Sequence, residues 1–176
     1  MTQIKNEHDI GMATTYVMDT FLKKIKKHEI SIENQFHKSK TQWNEETKSN
    51  LIVSIFNDYQ FPPIVIASIL KNNYNYSYVI DGIQRITVCL DFKNNNLKIY
   101  ENSERSIVKY TKRNKNENGE VVYKLEEIDI RGKLYKDLPE ELQDQFDNYN
   151  IRVDVYSPCK EEDIYFHIMR YNSKIE

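Results

Sequence analysis

The segment Tyr78-Val79-Ile80-Asp81-Gly82-Ile83-Gln84-Arg85-Ile86-Thr87 is where residue types and spacing best fit chemistry. An apolar strand runs into Asp81-Gly82 and then directly into a helical pattern. The first turn of a helix offers backbone N–H groups with no partner in the helix and a partial positive charge. A glycine just before it lets another group approach the backbone closely. A junction of this kind suits an anion, above all a phosphate. The same residues also read as a capping box, with Asp81 at the cap and Gln84 three residues on. Steps of 100° put Gln84, Thr87 and Asp91 on one polar stripe. Arg85 falls on the other side, near Val88, Cys89 and Phe92. A cation on an apolar side needs a partner, because a buried unpaired charge is very costly. That partner is either a carboxylate of the fold or a phosphate held by the guanidinium fork.

Other chemistries find less support. The chain of 176 residues has two cysteines, Cys89 and Cys159, and four histidines. His8, His28, His37 and His167 stand in no metal-ligand spacing, and no metal is assigned. With 25 basic and 27 acidic residues the net charge is -2, so DNA contact would need a local patch. The candidate is Lys109, Lys112, Arg113 and Lys115, placed at a hairpin tip. The plain alternative is a solvated tip that keeps an edge strand soluble. Mean hydropathy is -0.73. No apolar run reaches the ~18 residues of a membrane span, and the first residues lack a signal-peptide core. The expectation is a cytoplasmic protein without a membrane partner.

The elements that must position the junction follow from periodicity. Residues 9–27 read as an amphipathic helix on Met12, Val17, Met18, Phe21, Leu22 and Ile25. Residues 29–32 suggest a short strand. Asn44 is an N-cap for a helix to about Tyr59, with Glu45 and Glu46 in its first turn. Pro62-Pro63 ends that unit. Residues 64–70 and 76–80 form a hairpin expected at the centre of a sheet, and a helix follows to Phe92. Residues 97–135 read as a β-rich insertion, with Ile107–Tyr110 pairing Val121–Leu125 and residues 112–120 at its tip. Pro139 opens a helix to Tyr149. Ile151–Tyr156 alternates as a strand, and Pro158 opens a last helix to Asn172. The whole, residues 1–176, reads as a single α/β (α+β) domain with a small mixed sheet flanked by helices; residues 1–8 are expected to be disordered.

Asp81-Gly82-Ile83-Gln84-Arg85-Ile86-Thr87 resembles the Asp-Gly-Gln-Gln-Arg-Leu-Thr motif of the N-terminal domain of GmrSD-type restriction endonucleases. Upstream, Trp43 and the stretch to Ile55, then Pro62-Pro63-Ile64, are similar to that family's tryptophan, helix and Pro-Pro-Ile run. Downstream, Arg170-Tyr171-Asn172 resembles its Arg-Leu-Asn segment. The resemblance implies a ParB/sulfiredoxin-like fold and a nucleoside triphosphate, with Mg²⁺, bound at the strand–helix junction. It implies a role in phage defence, restriction or a mobile element, with DNA or a nuclease subunit or domain as partner. Asp81, Gln84 and Arg85 are then the candidates for hydrolysis. Asp81, Gly82, Ile83, Gln84, Arg85, Thr87, His37, Lys38, Arg170 and Asn172 are the candidates for nucleotide binding. Two departures bear on turnover. Ile83 stands where the motif has its first glutamine, and Phe36-His37-Lys38 replaces a Gln-Arg pair upstream of Trp43. The alternative reading is an inactive interaction or DNA-binding module that keeps the fold.

Overall fold

The computed structural model describes residues 11–33, 43–103, 106–160, 162–164, 166 and 168. In chain order the elements are β1 (Gly11–Val17), α1 (Met18–Lys26), α2 (Glu45–Phe56), β2 (Ile64–Lys71), β3 (Tyr74–Asp81) and α3 (Ile83–Lys93). Then come β4 (Ile107–Lys115), β5 (Val121–Asp129), a 3-10 turn at Tyr135–Asp137, α4 (Glu140–Asp147) and β6 (Asn150–Cys159). Two small sheets and the helices make an α+β fold, as expected.

The larger sheet has the order β1-β6-β2-β3. β6 runs antiparallel to β1 and parallel to β2, while β2 and β3 form the antiparallel hairpin. The strands alternate between two apolar layers, as a pleated strand buried on both faces must. Ile64, Ile66, Val79, Ile151 and Val153 face the main core with α1, α2, α3 and α4. Val65, Ala67, Ile80 and Cys159 face a smaller cluster closed by Ile164 and Ile168. The main core holds an aromatic knot in which Phe92 meets Phe146, Phe56 and Tyr135 at 5.4, 6.3 and 5.9 Å. Lys93 ties α3 to α4 beside it, donating to Asp147 at 2.6 Å and to the Tyr135 hydroxyl at 2.7 Å.

Several expectations are corrected. Residues 11–17 are a strand, and the helix starts only at Met18. Thr14, Thr15, Tyr16 and Val17 are β-formers, and pairing with β6 decides their state. β2 is central, but β3 is an edge strand, and β6 takes the other central place. The expected strand at 29–32 shrinks to one bridge from Ser31 to Tyr78 on the outer edge of β3. α2 stops at Phe56, with Asp58 at φ 57° turning the chain. Pro158 lies inside β6, which continues to Cys159 because that residue still pairs with Ile69 of β2. Helical residues follow from Glu162. β4 runs on to Lys115, so residues 112–115 are ladder rather than tip. Residues 1–8 lie outside the described residues. Among the described residues no helix is long and apolar enough to cross a membrane.

Candidate functional site

The junction is built from the end of β3 and the start of α3. Val79 and Ile80 anchor β3 in the two apolar layers. Asp81 pairs with Val65 beside a bulge at Ile80 of β3. Gly82 then takes φ 92°, ψ 11°, the left-handed conformation that only glycine adopts without strain. The chain thereby turns into α3, and the Ile86 N–H closes the first helical bond on the Gly82 carbonyl at 3.1 Å.

The space above Gly82 belongs to the protein. A Cβ there would stand 2.3 Å from Cδ1 of Ile64 and 3.1 Å from Nη2 of Arg85. The close approach foreseen for a ligand is made by those two side chains. The capping box is absent as well: Gly82 is the N-cap, and α3 has no side-chain cap. Asp81 instead accepts a hydrogen bond from Arg85 Nη2 at 2.8 Å.

Arg85 is the centre of the inner half of the junction. Its side chain is 11% exposed and that of Asp81 30%. Nη1 donates to the carbonyl of Pro62. The guanidinium lies 5.8 Å from the centre of the Phe61 ring, which packs 5.6 Å from Tyr149. Tyr149 in turn donates to the Tyr59 carbonyl at 2.8 Å. Burial pulls the Arg85 pKa down, and Asp81 opposes that pull. Beneath it, burial pushes the Cys89 thiol up, against the influence of Arg85. Cys89 is thus a protonated, unreactive core residue. Of the two partners left open for Arg85, a carboxylate of the fold or a phosphate, the structure supplies the carboxylate of Asp81 and adds the Pro62 carbonyl. Together they hold the Phe61-Pro62 loop against the head of α3.

The outer half of the junction faces a groove of about 280 Å³ lined by Trp43, Lys48, Ile83, Gln84, Thr87, Val88 and Asp91. Helical spacing explains the α3 side: residues 84, 87, 88 and 91 recur on one stripe. The opposite wall is the start of α2. Asn44 accepts the Thr47 N–H at 2.8 Å, fixing that helix end and so the placement of Trp43 before it and Lys48 within it. Thr87 donates its hydroxyl to the Ile83 carbonyl at 2.9 Å, leaving oxygen lone pairs for a further donor. Lys48 was not singled out by sequence. Its signal was its place one turn beyond the Asn44 cap, and its meaning depends on α2 packing beside α3.

The remaining candidates scatter. His37, Lys38, Arg170 and Asn172 lie outside the described residues. Lys109, Lys112, Arg113 and Lys115 are all in β4 but do not form one patch. Alternation puts Lys112 on the face of Val108 and Tyr110, opposite the other three. Lys109 pairs with Glu127 at 3.2 Å and Lys112 with Glu126 at 3.3 Å. Among the described residues no group of three or more His, Cys, Asp or Glu side chains could hold a metal ion. Asp81, the carboxylate at the junction, is engaged by Arg85. The described residues therefore do not fit a protein-held ion.

Comparison with known proteins adds a family. Searches of curated proteins and of solved structures returned no significant match. The sequence model of the GmrSD restriction endonuclease N-terminal domain matches residues 18–172, a span that contains β2, β3, α3 and both walls of the groove. The chain belongs to the GmrSD restriction endonuclease N-terminal domain family.

Proposed function

We propose that this domain binds a nucleoside triphosphate in the groove between α2 and α3, as the nucleotide-responsive part of a phage-defence restriction system. The observation that carries the reading is the groove itself. The outward residues of the motif helix meet an aromatic side chain and a cation on the facing wall, within a volume of about 280 Å³. The indole of Trp43 offers a stacking platform for a base. Lys48 and the first-turn N–H groups of α3 offer charge and donors to phosphate. Gln84 and Thr87 supply hydrogen bonds between them. Any Mg²⁺ accompanies the triphosphate, held chiefly by its oxygens and water.

Asp81 and Arg85 act here as positioning residues, because each is the other's partner. Of the three residues expected to carry hydrolysis, Gln84 alone lines the groove. The arrangement therefore supports binding ahead of turnover. DNA cleavage falls to a nuclease domain or subunit acting with this one.

Trp43 is the single tryptophan, so its emission reports on the groove directly. Titration of the full chain with nucleoside triphosphates and Mg²⁺ is expected to change that emission saturably. Lys48→Ala is expected to weaken binding about tenfold, the loss of one charge-assisted hydrogen bond, without lowering thermal stability. Unchanged affinity in Lys48→Ala, or no spectral response at saturating nucleotide, refutes the placement.

A further inference from the structure

The two charged residues of the groove, Lys48 and Asp91, line it together yet form no ion pair with each other, and among the described residues no side-chain partner engages either. Both are half-buried. Two opposite charges left unpaired in one groove suit a ligand that carries the complement of each. The order of groups along α3 fixes which end is which. Gln84 lies in the first turn, where backbone N–H groups and the helix dipole favour negative charge. Asp91 lies seven residues on, about 10.5 Å along the axis at 1.5 Å per residue, with its carboxylate on the same stripe. That span is about the length of a nucleoside monophosphate. The phosphate end belongs near Gln84 and the base end near Asp91, with Lys48 on the facing α2 wall. Trp43, Ile83 and Val88 supply apolar surface for the base face between them.

A carboxylate is acceptor-only, and its two oxygens best receive two adjacent donors. Among the common bases guanine alone presents such a pair, the N1–H and the exocyclic N2 amine. Adenine and cytosine offer a single amino group flanked by a ring acceptor, which a carboxylate repels, and uracil offers one N–H between two carbonyls. We propose that the groove selects guanine nucleotides, with Asp91 as the residue that reads the base. The inference rests on the nucleotide reading above and adds the base to it.

The test is calorimetric titration of the full chain with GTP, inosine triphosphate, ATP, CTP and UTP in Mg²⁺, repeated on Asp91→Asn. The expected result is GTP binding at least tenfold tighter than the three other common triphosphates. Inosine triphosphate, which lacks only the N2 amine, should fall between. Asp91→Asn should erase the GTP preference by weakening GTP and, because the amide no longer repels the ring acceptor of adenine, tightening ATP. A thermal melt of Asp91→Asn equal to that of the parent chain shows that the fold is kept. Equal affinity for all five, or a GTP preference that survives Asp91→Asn, overturns the guanine assignment and leaves nucleotide binding standing. No binding of any triphosphate overturns both.

Discussion

Replacing Gly82 by alanine separates two explanations of the motif glycine. One holds that a ligand needs the space; the other that Ile64 and Arg85 already fill it. Alanine at φ 92° costs about 1–2 kcal/mol in backbone strain. Its Cβ would meet Cδ1 of Ile64 at 2.3 Å, far inside the ~3.5–4.0 Å of a normal carbon contact. Ile64 is fully buried between β3 and the main core, so that methyl has little room to retreat. Overpacking of this kind adds about 1–3 kcal/mol. Part of the sum is offset by the smaller unfolded-state entropy of alanine, about 0.4–1 kcal/mol. The expected loss is about 3 kcal/mol. With a urea dependence of about 2 kcal/mol per molar, the unfolding midpoint should drop by about 1.5 M. Ile64→Val removes the offending methyl and alone costs about 1 kcal/mol. In the double variant the overlap disappears while the strain and the 3.1 Å approach to Arg85 remain. The two losses should therefore be less than additive, by about 1–2 kcal/mol. Urea titrations of the four proteins, followed by circular dichroism, measure this. Losses that add within about 0.3–0.5 kcal/mol refute the packing argument. So does a Gly82→Ala protein of unchanged stability that has lost nucleotide binding.

Arg85→Ala is expected to cost about 2–3 kcal/mol. It removes donors to Asp81 and Pro62 and leaves Asp81 with only partial access to water, so the effect falls below the ~3–5 kcal/mol of a fully buried pair. Arg85→Lys should recover less than half of that in the same urea assay, because a single ammonium does not reproduce the fork. The acid limb of stability should respond to Asp129. Side-chain hydrogen bonds from Arg131, then its backbone N–H and Ser106, hold the Asp129 carboxyl well below its ordinary 3.8. A carboxyl lowered in the folded state stabilises fully above its ordinary pKa, and that contribution drains away as pH falls below it. Asp129→Asn should thus flatten the stability profile below about pH 4 and leave the slope at pH 6–8 unchanged; melting temperatures across that range decide it.

The parts of this fold that could be read from sequence are those whose cause is local. Asn44 announced α2 because the cap acts on Thr47, three residues away. The β2–β3 turn was visible because Asn72 and Asn73 tolerate the positive φ, 52° and 64°, that a tight hairpin requires. The parts that misled are those decided by distant partners. Val17 continues the three-and-four spacing of α1 backward, four residues before Phe21, so periodicity merges the end of β1 into the helix. Only the ladder to β6, from the other end of the chain, makes residues 11–17 a strand. Pro158 read as a helix opener for the same reason: its place in β6 depends on where Cys159 meets β2. At the site, the sequence showed that Arg85 needed a partner but not which one. Asp81 was one helical turn away, yet the Pro62 carbonyl and the Phe61 ring arrive through tertiary packing. The groove was half legible, as the stripe of Gln84, Thr87 and Asp91. Its other wall required α2 to lie beside α3.

Helical geometry accounts for how one short motif serves two purposes. Residues 82, 85, 86 and 89 turn inward, where Gly82, Arg85, Ile86 and Cys89 meet Ile64, the Phe61-Pro62 loop and the main core. Residues 84, 87 and 91 turn outward and line the groove with Ile83 and one flank of the buried Val88. Substitutions on the two sides should therefore fail differently. An inward change loosens the loop and the helix head, and any loss of ligand follows from lost structure. An outward change such as Lys48→Ala or Asp91→Asn removes a ligand contact from an intact frame. Loss of binding in Arg85→Ala is accordingly expected but uninformative about contact with phosphate, whereas the outward variants discriminate. Ile83 belongs to the outward set. Its side chain brings apolar surface to the groove, which suits the face of a base better than the positioning of a water molecule.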